Sequence, residues 1–375
     1  MNKRWFVIIL VFLLLGFTGW VVSVNLLAQQ PTPIERISVD WWGSGHADVN
    51  SVSFTNWNAN DPPEVPVTCA KCHSGRGFID YLGQDGSAAF SVDAPGAVES
   101  VISCMVCHNE KADALDLVQF PSGAEIDMGR GDALCGSCHS GLTAGGRVDV
   151  VMGEFGDDEV VQDNRLITPH YAFAAATWLG GEADGGYQYP GKEYAGRFRH
   201  ANGVETCTQC HDPHSLRIRR DYSEIDANLC SACHSNVTGY QDYRDVFVDG
   251  VDYDGDGAVK GVYHEIEGMR AILNQMVQRY AAEVVGLQIG WADAFPYQFI
   301  DTDGDGAISV DEAVVPNAFT DFTPRLMRAA FNYQFSKKDP AGYVHNGKYM
   351  LQLIYDSIED LSSVVGAPDV DLIRP

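Results

Sequence analysis

Two kinds of apolar pattern run along this 375-residue chain, and they lie at opposite ends. Behind Lys3 and Arg4, a predominantly apolar run without charged residues extends from Trp5 to Val24. A run of about 20 apolar residues matches the thickness of a bilayer, whereas a cleaved export signal has a shorter apolar core. Residues 1–29 are therefore read as a signal peptide or membrane anchor, with Ala28 as the candidate cleavage point. Basic residues before the run stay on the cytoplasmic side. Both readings place the remainder outside the cytoplasm, in the periplasm or at the cell surface.

Toward the C-terminus the apolar residues take helical spacing. Ile266, Met269, Leu273, Met276, Tyr280 and Val284 step by three or four, which predicts an amphipathic helix. In "TPRLMRAAFNYQF", Thr323 is a helix N-cap and Pro324 occupies the first helical position. Leu351, Ile354, Ile358 and Leu361 form a third stripe, in a segment that begins at His345. The methionines read as core filler. Before residue 245 such stripes are scarce, and "GGEADGGYQYPG" at 180–191 reads as loop. The expectation is a mainly α chain with extensive coil and little β. Residues 30–245 form one region, and 246–375 form a helical region packed on it.

Charge narrows the partners. The chain carries 25 Lys+Arg against 51 Asp+Glu, a formal net charge of −26. That argues against nucleic acid, whose phosphates require a positive footprint. A partner steered by electrostatics would present a basic docking patch.

The ten cysteines change the picture further. An exported chain first suggests disulfides, but all ten fall in five C-x-x-C-H units: "CAKCH" (Cys69, Cys72, His73), "CMVCH" (Cys104, Cys107, His108), "CGSCH" (Cys135, Cys138, His139), "CTQCH" (Cys207, Cys210, His211) and "CSACH" (Cys230, Cys233, His234). Redox dithiols are not normally repeated five times with a following His, and zinc sites need two pairs per metal, which leaves one over. C-x-x-C-H is the attachment signature of c-type haem. Its two thiols meet the porphyrin vinyl groups, and the next residue supplies the proximal imidazole. On these motifs, residues of about 40–240 resemble the multihaem c-type cytochromes. The resemblance implies five covalent haems in a haem-packed core, with short helices carrying the motifs.

The sixth position of each iron decides between carrier and catalyst. Six histidines remain: His46, His170, His200, His214, His264 and His345. His46 follows Trp41 and Trp42, two rings suited to a porphyrin face. His170 lies in "LITPHYAFAAATWLG", which looks helical, and His200 precedes Cys207. His214 closes "CTQCHDPH"; Pro213 stiffens so short a link that His214 cannot reach behind the haem held by His211 and must serve a neighbour. These four and His345 are the distal candidates, and His264 is left out. Nitrite-reducing relatives typically carry C-x-x-C-K at the catalytic haem, and no such motif is present.

Two acidic segments follow the last motif. "DTDGDGAISVDE" (301–312) fits an EF-hand calcium loop, with Asp301, Asp303, Asp305, the Ala307 carbonyl, Ser309 through water and Glu312 as ligands. "DYDGDGAVKGVY" (252–263) begins alike, with Asp252, Asp254, Asp256 and the Ala258 carbonyl, but ends on Tyr263, leaving Glu265 as a substitute. One or two structural calcium ions are expected. Together these features predict an electron carrier without a dedicated catalytic haem, receiving electrons from a redox protein or a quinol-side donor and tethered to the membrane if the N-terminal run is kept. The alternative is an oxidoreductase acting on a small inorganic nitrogen or sulfur compound at one open haem. The sequence says nothing on self-association.

Overall fold

The structure, a computed structural model, describes residues 31–218, 233–235, 237, 240–247 and 249–375. The apolar N-terminal run and Cys230 lie outside these residues. Among the described residues no helix is long and apolar enough to cross a membrane.

The fold is helix and coil with a few short strands. Four short helices carry haem motifs: α2 (Val67–His73), α3 (Cys104–Cys107), α4 (Asp132–Cys138) and α6 (Cys207–Cys210), with α1 (Pro33–Trp42) ahead of them and α5 (Ala174–Leu179) between the last two. Three longer helices follow: α7 (Val262–Tyr280), α8 (Pro324–Lys338) and α9 (Gly342–Val365). Strands occur as three antiparallel two-stranded pairs: β1 (Glu64–Val65) with β2 (Gly96–Ala97), β3 (Leu117–Gln119) with β4 (Glu125–Asp127), and β5 (Ile289–Trp291) with β6 (Gln298–Ile300). In the last pair Ile289 faces Ile300, so β6 delivers the chain directly to Asp301.

The long helices follow local rules. Thr323 caps α8 by accepting from the Leu326 amide, Pro324 opens the helix, and Lys337 and Lys338 lie in its last turn, where positive charge complements the helix dipole. On α7, Ile266, Met269, Leu273, Met276 and Tyr280 are buried, and Val284 falls in the π-helical turn 281–285 beyond it. On α9, Leu351, Ile354, Ile358 and Leu361 are each at most 2% exposed. Full burial of such a side chain stabilises by about 1.5–3 kcal/mol. The helix breaks at Asn346 (φ −167°, ψ 78°). There the Asn346 side chain accepts from the Tyr349 amide and donates to the Gly196 carbonyl, so it caps the long part of α9. His345 therefore sits on the turn before the break.

The C-terminal helices pack on the motif-bearing region. The Phe173 and Phe335 rings stack at 4.4 Å. Asn332, fully buried on α8, exchanges two hydrogen bonds with the Tyr187 backbone. A Cβ on Gly186 would lie 2.3 Å from Leu353 of α9, so only glycine permits this approach. One cluster of buried side chains spans both regions.

One expectation is corrected. The stretch around His170 is not helical: residues 164–170 are coil, and helix begins only at Ala174. Pro169 disfavours helix for the residue before it. His170 itself takes φ +76° and Ala172 φ +55°, the left-handed region that side chains rarely adopt. Thr168, Tyr171 and Ala172 line a cavity, whereas Leu166, Ile167 and Phe173 pack into the core.

Candidate haem-binding site

Helical geometry explains each motif. Thiols three residues apart share one helix face. The following histidine closes the same turn: the amides of His108, His139 and His211 donate to the carbonyls of Cys104, Cys135 and Cys207 at 2.8, 2.9 and 2.8 Å. Two thiols and one imidazole thus point to the same side. Among the described residues, the nine cysteines are free thiols, so no disulfide framework competes.

These helix faces open into one cavity of about 3300 Å³. Ordinary ligand pockets hold ~300–1,000 Å³, and packed interiors have few voids larger than a water molecule. All nine described motif cysteines line it, as do ten histidines: His73, His108, His139, His211 and His234 of the motifs, and His46, His170, His200, His214 and His345. Large apolar side chains on its wall are strongly exposed, including Ile34 at 67% and Trp42 at 70%, both on α1. Such patches mark surfaces built to be covered. The residues therefore fit a set of flat apolar groups held by thioether and imidazole.

The histidines are paired across the cavity. Ring centroids lie 5.8 Å apart for His73 and His170, 6.4 Å for His139 and His46, 6.2 Å for His108 and His214, and 6.1 Å for His234 and His200. Each pair joins one motif histidine to one distal candidate. With imidazole–metal bonds of about 2 Å and about 1 Å from nitrogen to ring centre, two rings sharing one metal sit about 6 Å apart. The remaining motif histidine, His211 of the fourth unit, has its pKa lowered by burial, with the Leu216 carbonyl opposing and the neighbouring His345 adding.

Ring hydrogen bonds set the tautomers. A carbonyl only accepts, so the facing nitrogen must carry the proton. His73 Nδ1 donates to the Ser53 carbonyl at 2.8 Å, His211 Nδ1 to Leu216 at 3.1 Å, and His200 Nδ1 to Ala201 at 3.0 Å. Each bond leaves Nε2 with its lone pair toward the cavity, the usual arrangement of a metal-ligating histidine. Burial, with the His139 ring beside it adding, pushes His46 down to about 4, and burial is also the first cause lowering His139 and His170. Neutral rings are what metal binding needs. His345 differs: burial opposes its protonation, but the Asp339 carboxylate raises it overall. His264 is outside the cavity lining, and its Nε2 meets Asp245 Oδ1 at 2.9 Å.

His214 is held by a tight turn. Asp212 Oδ1 accepts from the His214 and Ser215 amides at 3.0 and 2.8 Å. The turn sends the His214 ring to His108 and away from His211, three residues back.

The doubled CXXCH motif family matches residues 200–239, which hold the fourth and fifth motifs. That match supports a multihaem c-type cytochrome. This cytochrome is similar to C-type polyheme cytochrome OmcC of Geobacter sulfurreducens, 26% identical over 85% of this chain and 40% of the relative. It is also similar to C-type polyheme cytochrome OmcB from two strains of that species, 24% identical over 83% of this chain and 46% of the relative. The chain thus spans less than half the length of these relatives. No solved structure matches it.

The motifs also neighbour one another. In this cytochrome α4 lies beside both α2 and α6: Cys138 Sγ meets the Lys71 carbonyl at 3.6 Å, and the Cys207 amide donates to Asp132 Oδ1 at 3.0 Å. The Cys72 and Cys138 thiols are in hydrogen-bonding reach, as are Cys135 and Cys207.

The two acidic loops share one design that sequence reading only half saw. Asp252 and Asp301 each accept from two glycine amides at 2.8 Å, from Gly255 and Gly257 and from Gly304 and Gly306. These four glycines have positive φ, which the turn requires. Asp252, Asp254 and Asp256 converge, as do Asp301, Asp303 and Asp305. Glu312 does not join its cluster: Thr302 and Ser309 hold both its oxygens and lower its pKa to about 2. Ser309 donates to Glu312 rather than facing the aspartates. Glu265 braces the first loop likewise, through the amides of Tyr253, Asp254 and Lys260. The loops differ at one place: Lys260 Nζ bonds Asp254 and Asp256, both at 2.7 Å, where the second loop has Ser309. Strand β6, not a helix, leads into the second loop.

Proposed function

We propose that this cytochrome is an extracytoplasmic electron relay with five bis-histidine haems, ligated by the pairs His73–His170, His108–His214, His139–His46, His211–His345 and His234–His200. Four ring pairs across one cavity, which leave His211 and His345 on its wall for each other, carry this reading. Haem supplies one-electron chemistry at iron, and two imidazoles keep that iron closed to small ligands. The chain's own part is to fix spacing, tautomer and burial. With α4 between α2 and α6, the third haem is the hub of the array. Exposed Cys104, Cys210 and Cys233 favour the second, fourth and fifth haems as the ones nearest the surface, where electrons enter and leave.

Three further readings belong with this one. The acidic surface favours redox partners or a quinol-side donor with basic docking patches, whose association slows as salt rises. The N-terminal run exports the chain and, if retained, tethers it. Calcium binds at 301–312 as a structural ion, whereas at 252–263 it would have to displace Lys260. Haem quantification with electron paramagnetic resonance tests the relay: five haems, all low-spin, unchanged by nitrite or hydroxylamine. One high-spin haem that shifts on adding either compound would replace the relay with the oxidoreductase reading.

A further inference from the structure

Among the described cavity histidines, His345 alone gives its ring N–H to a carboxylate: Nδ1 lies 2.9 and 3.1 Å from the two oxygens of Asp339. Where the partner of another ring is identified, it is a backbone carbonyl. Asp339 is 5% exposed, and among the described residues no Lys or Arg pairs with it. Its neighbour Lys338 is committed to Asp293.

The position breaks a local rule. Asp339 is the C-cap of α8, where the helix dipole is negative and an anion is disfavoured. A buried carboxylate without a cation is costly as well. Sites that break such rules without local compensation are where function is expected. Here the compensation is the Ala341 amide at 3.2 Å, the ring N–H and, behind the ring, the ligated iron.

We propose that Asp339 is a positioning residue that fixes the His345 imidazole with Nε2 toward the iron and gives the haem attached at Cys207 and Cys210 the lowest reduction potential of the five. The inference rests on the His211–His345 ligation proposed above. One-electron reduction takes one positive charge off the iron, breaks no bond and needs no proton. A carboxylate hydrogen-bonded to the ligand raises ligand basicity. Its charge also stabilises the oxidised state more than the reduced one, through a low-dielectric path that screens little. The electron reaching this haem comes from a neighbouring haem of the array.

Asp339→Asn keeps size and shape and removes the charge. Spectroelectrochemical titration of the full five-haem protein is expected to show the lowest of five steps shifted upward. The shift should be of the order of tenfold in its reduction constant, about 59 mV for one electron, with the other steps in place and all haems low-spin. Asp339→Glu should restore part of the shift. If the Asn variant does not load haem, the unaltered protein serves: one of its five ferric low-spin signals should show a narrowed g-spread, the mark of an imidazolate-like ligand. Five unshifted steps in a fully low-spin Asn variant, or five ordinary bis-imidazole signals in the unaltered protein, would overturn the proposal and leave the ligation standing. His345→Ala that leaves every haem low-spin would instead overturn the ligation.

Discussion

Replacing His214 with Ala tests the geometry at its most economical point. Its ring centroid stands 6.2 Å from that of His108, nearly parallel at 20°. Alanine keeps the Asp212 turn, because that turn uses the backbone amide of residue 214, but removes every ring atom. Three of the other distal candidates are each set against another motif histidine, and His345 is held by Asp339, so no spare ring is aimed at the gap. One of five irons should therefore lose its sixth ligand, about a fifth of the low-spin signal converting to high-spin. Optical and electron paramagnetic resonance spectra of the purified variant measure that fraction. Carbon monoxide titration of the reduced protein should find one new binding equivalent. His214→Met should keep the haem low-spin and raise its potential, since Met/His ligation favours the ferrous state. His264→Ala should change nothing, because that ring faces Asp245 outside the cavity. A His214→Ala protein with five low-spin haems and no carbon monoxide uptake would refute the pairing.

Other consequences are simpler to check. Calcium at a hundredfold excess over its dissociation constant should stabilise the folded chain by about 2.7 kcal/mol; calorimetry should show a higher unfolding temperature, lost in Asp303→Asn. Lys260→Ser should create a second calcium site by removing the ammonium that bridges Asp254 and Asp256, and isothermal titration should then count one more ion. Thr323→Ala removes a fully buried cap and should cost ~0.5–2 kcal/mol in denaturant unfolding. Ile354→Ala opens a cavity at a fully buried position and should cost ~2–5 kcal/mol without altering the haem spectrum.

Much of this protein was legible from short spacings. Two cysteines three apart and a histidine one further on fix the attachment geometry, because a single helical turn brings them to one face. Thr323 and Pro324 mark the start of α8, and the stripes of α7 and α9 name their buried faces, by the same local physics. That the His214 ring meets a motif histidine other than His211 was legible for a related reason: a stiff three-residue link cannot fold back over its own motif. The reading failed where tertiary demands outweigh local pattern. Around His170 the apolar residues suggested a helix, yet Leu166, Ile167 and Phe173 reach the core from coil, with His170 and Ala172 in the left-handed region. In the second acidic loop, spacing alone gave no sign that the Thr302 and Ser309 amides and hydroxyls take both oxygens of Glu312.

What the sequence alone determined is which residues can attach and ligate haem, and that the chain is mainly helix and coil. The tertiary structure decided which distal histidine meets which motif, that the third motif lies between the first and the fourth, and that Lys260 fills one acidic loop. It also placed Asp339 behind His345, ahead of the break that Asn346 makes in α9. The physical reason is the range of the interactions. Covalent spacing and helix periodicity act within a turn or two, whereas the histidine pairs join segments far apart in the chain, brought together by packing that no local pattern encodes.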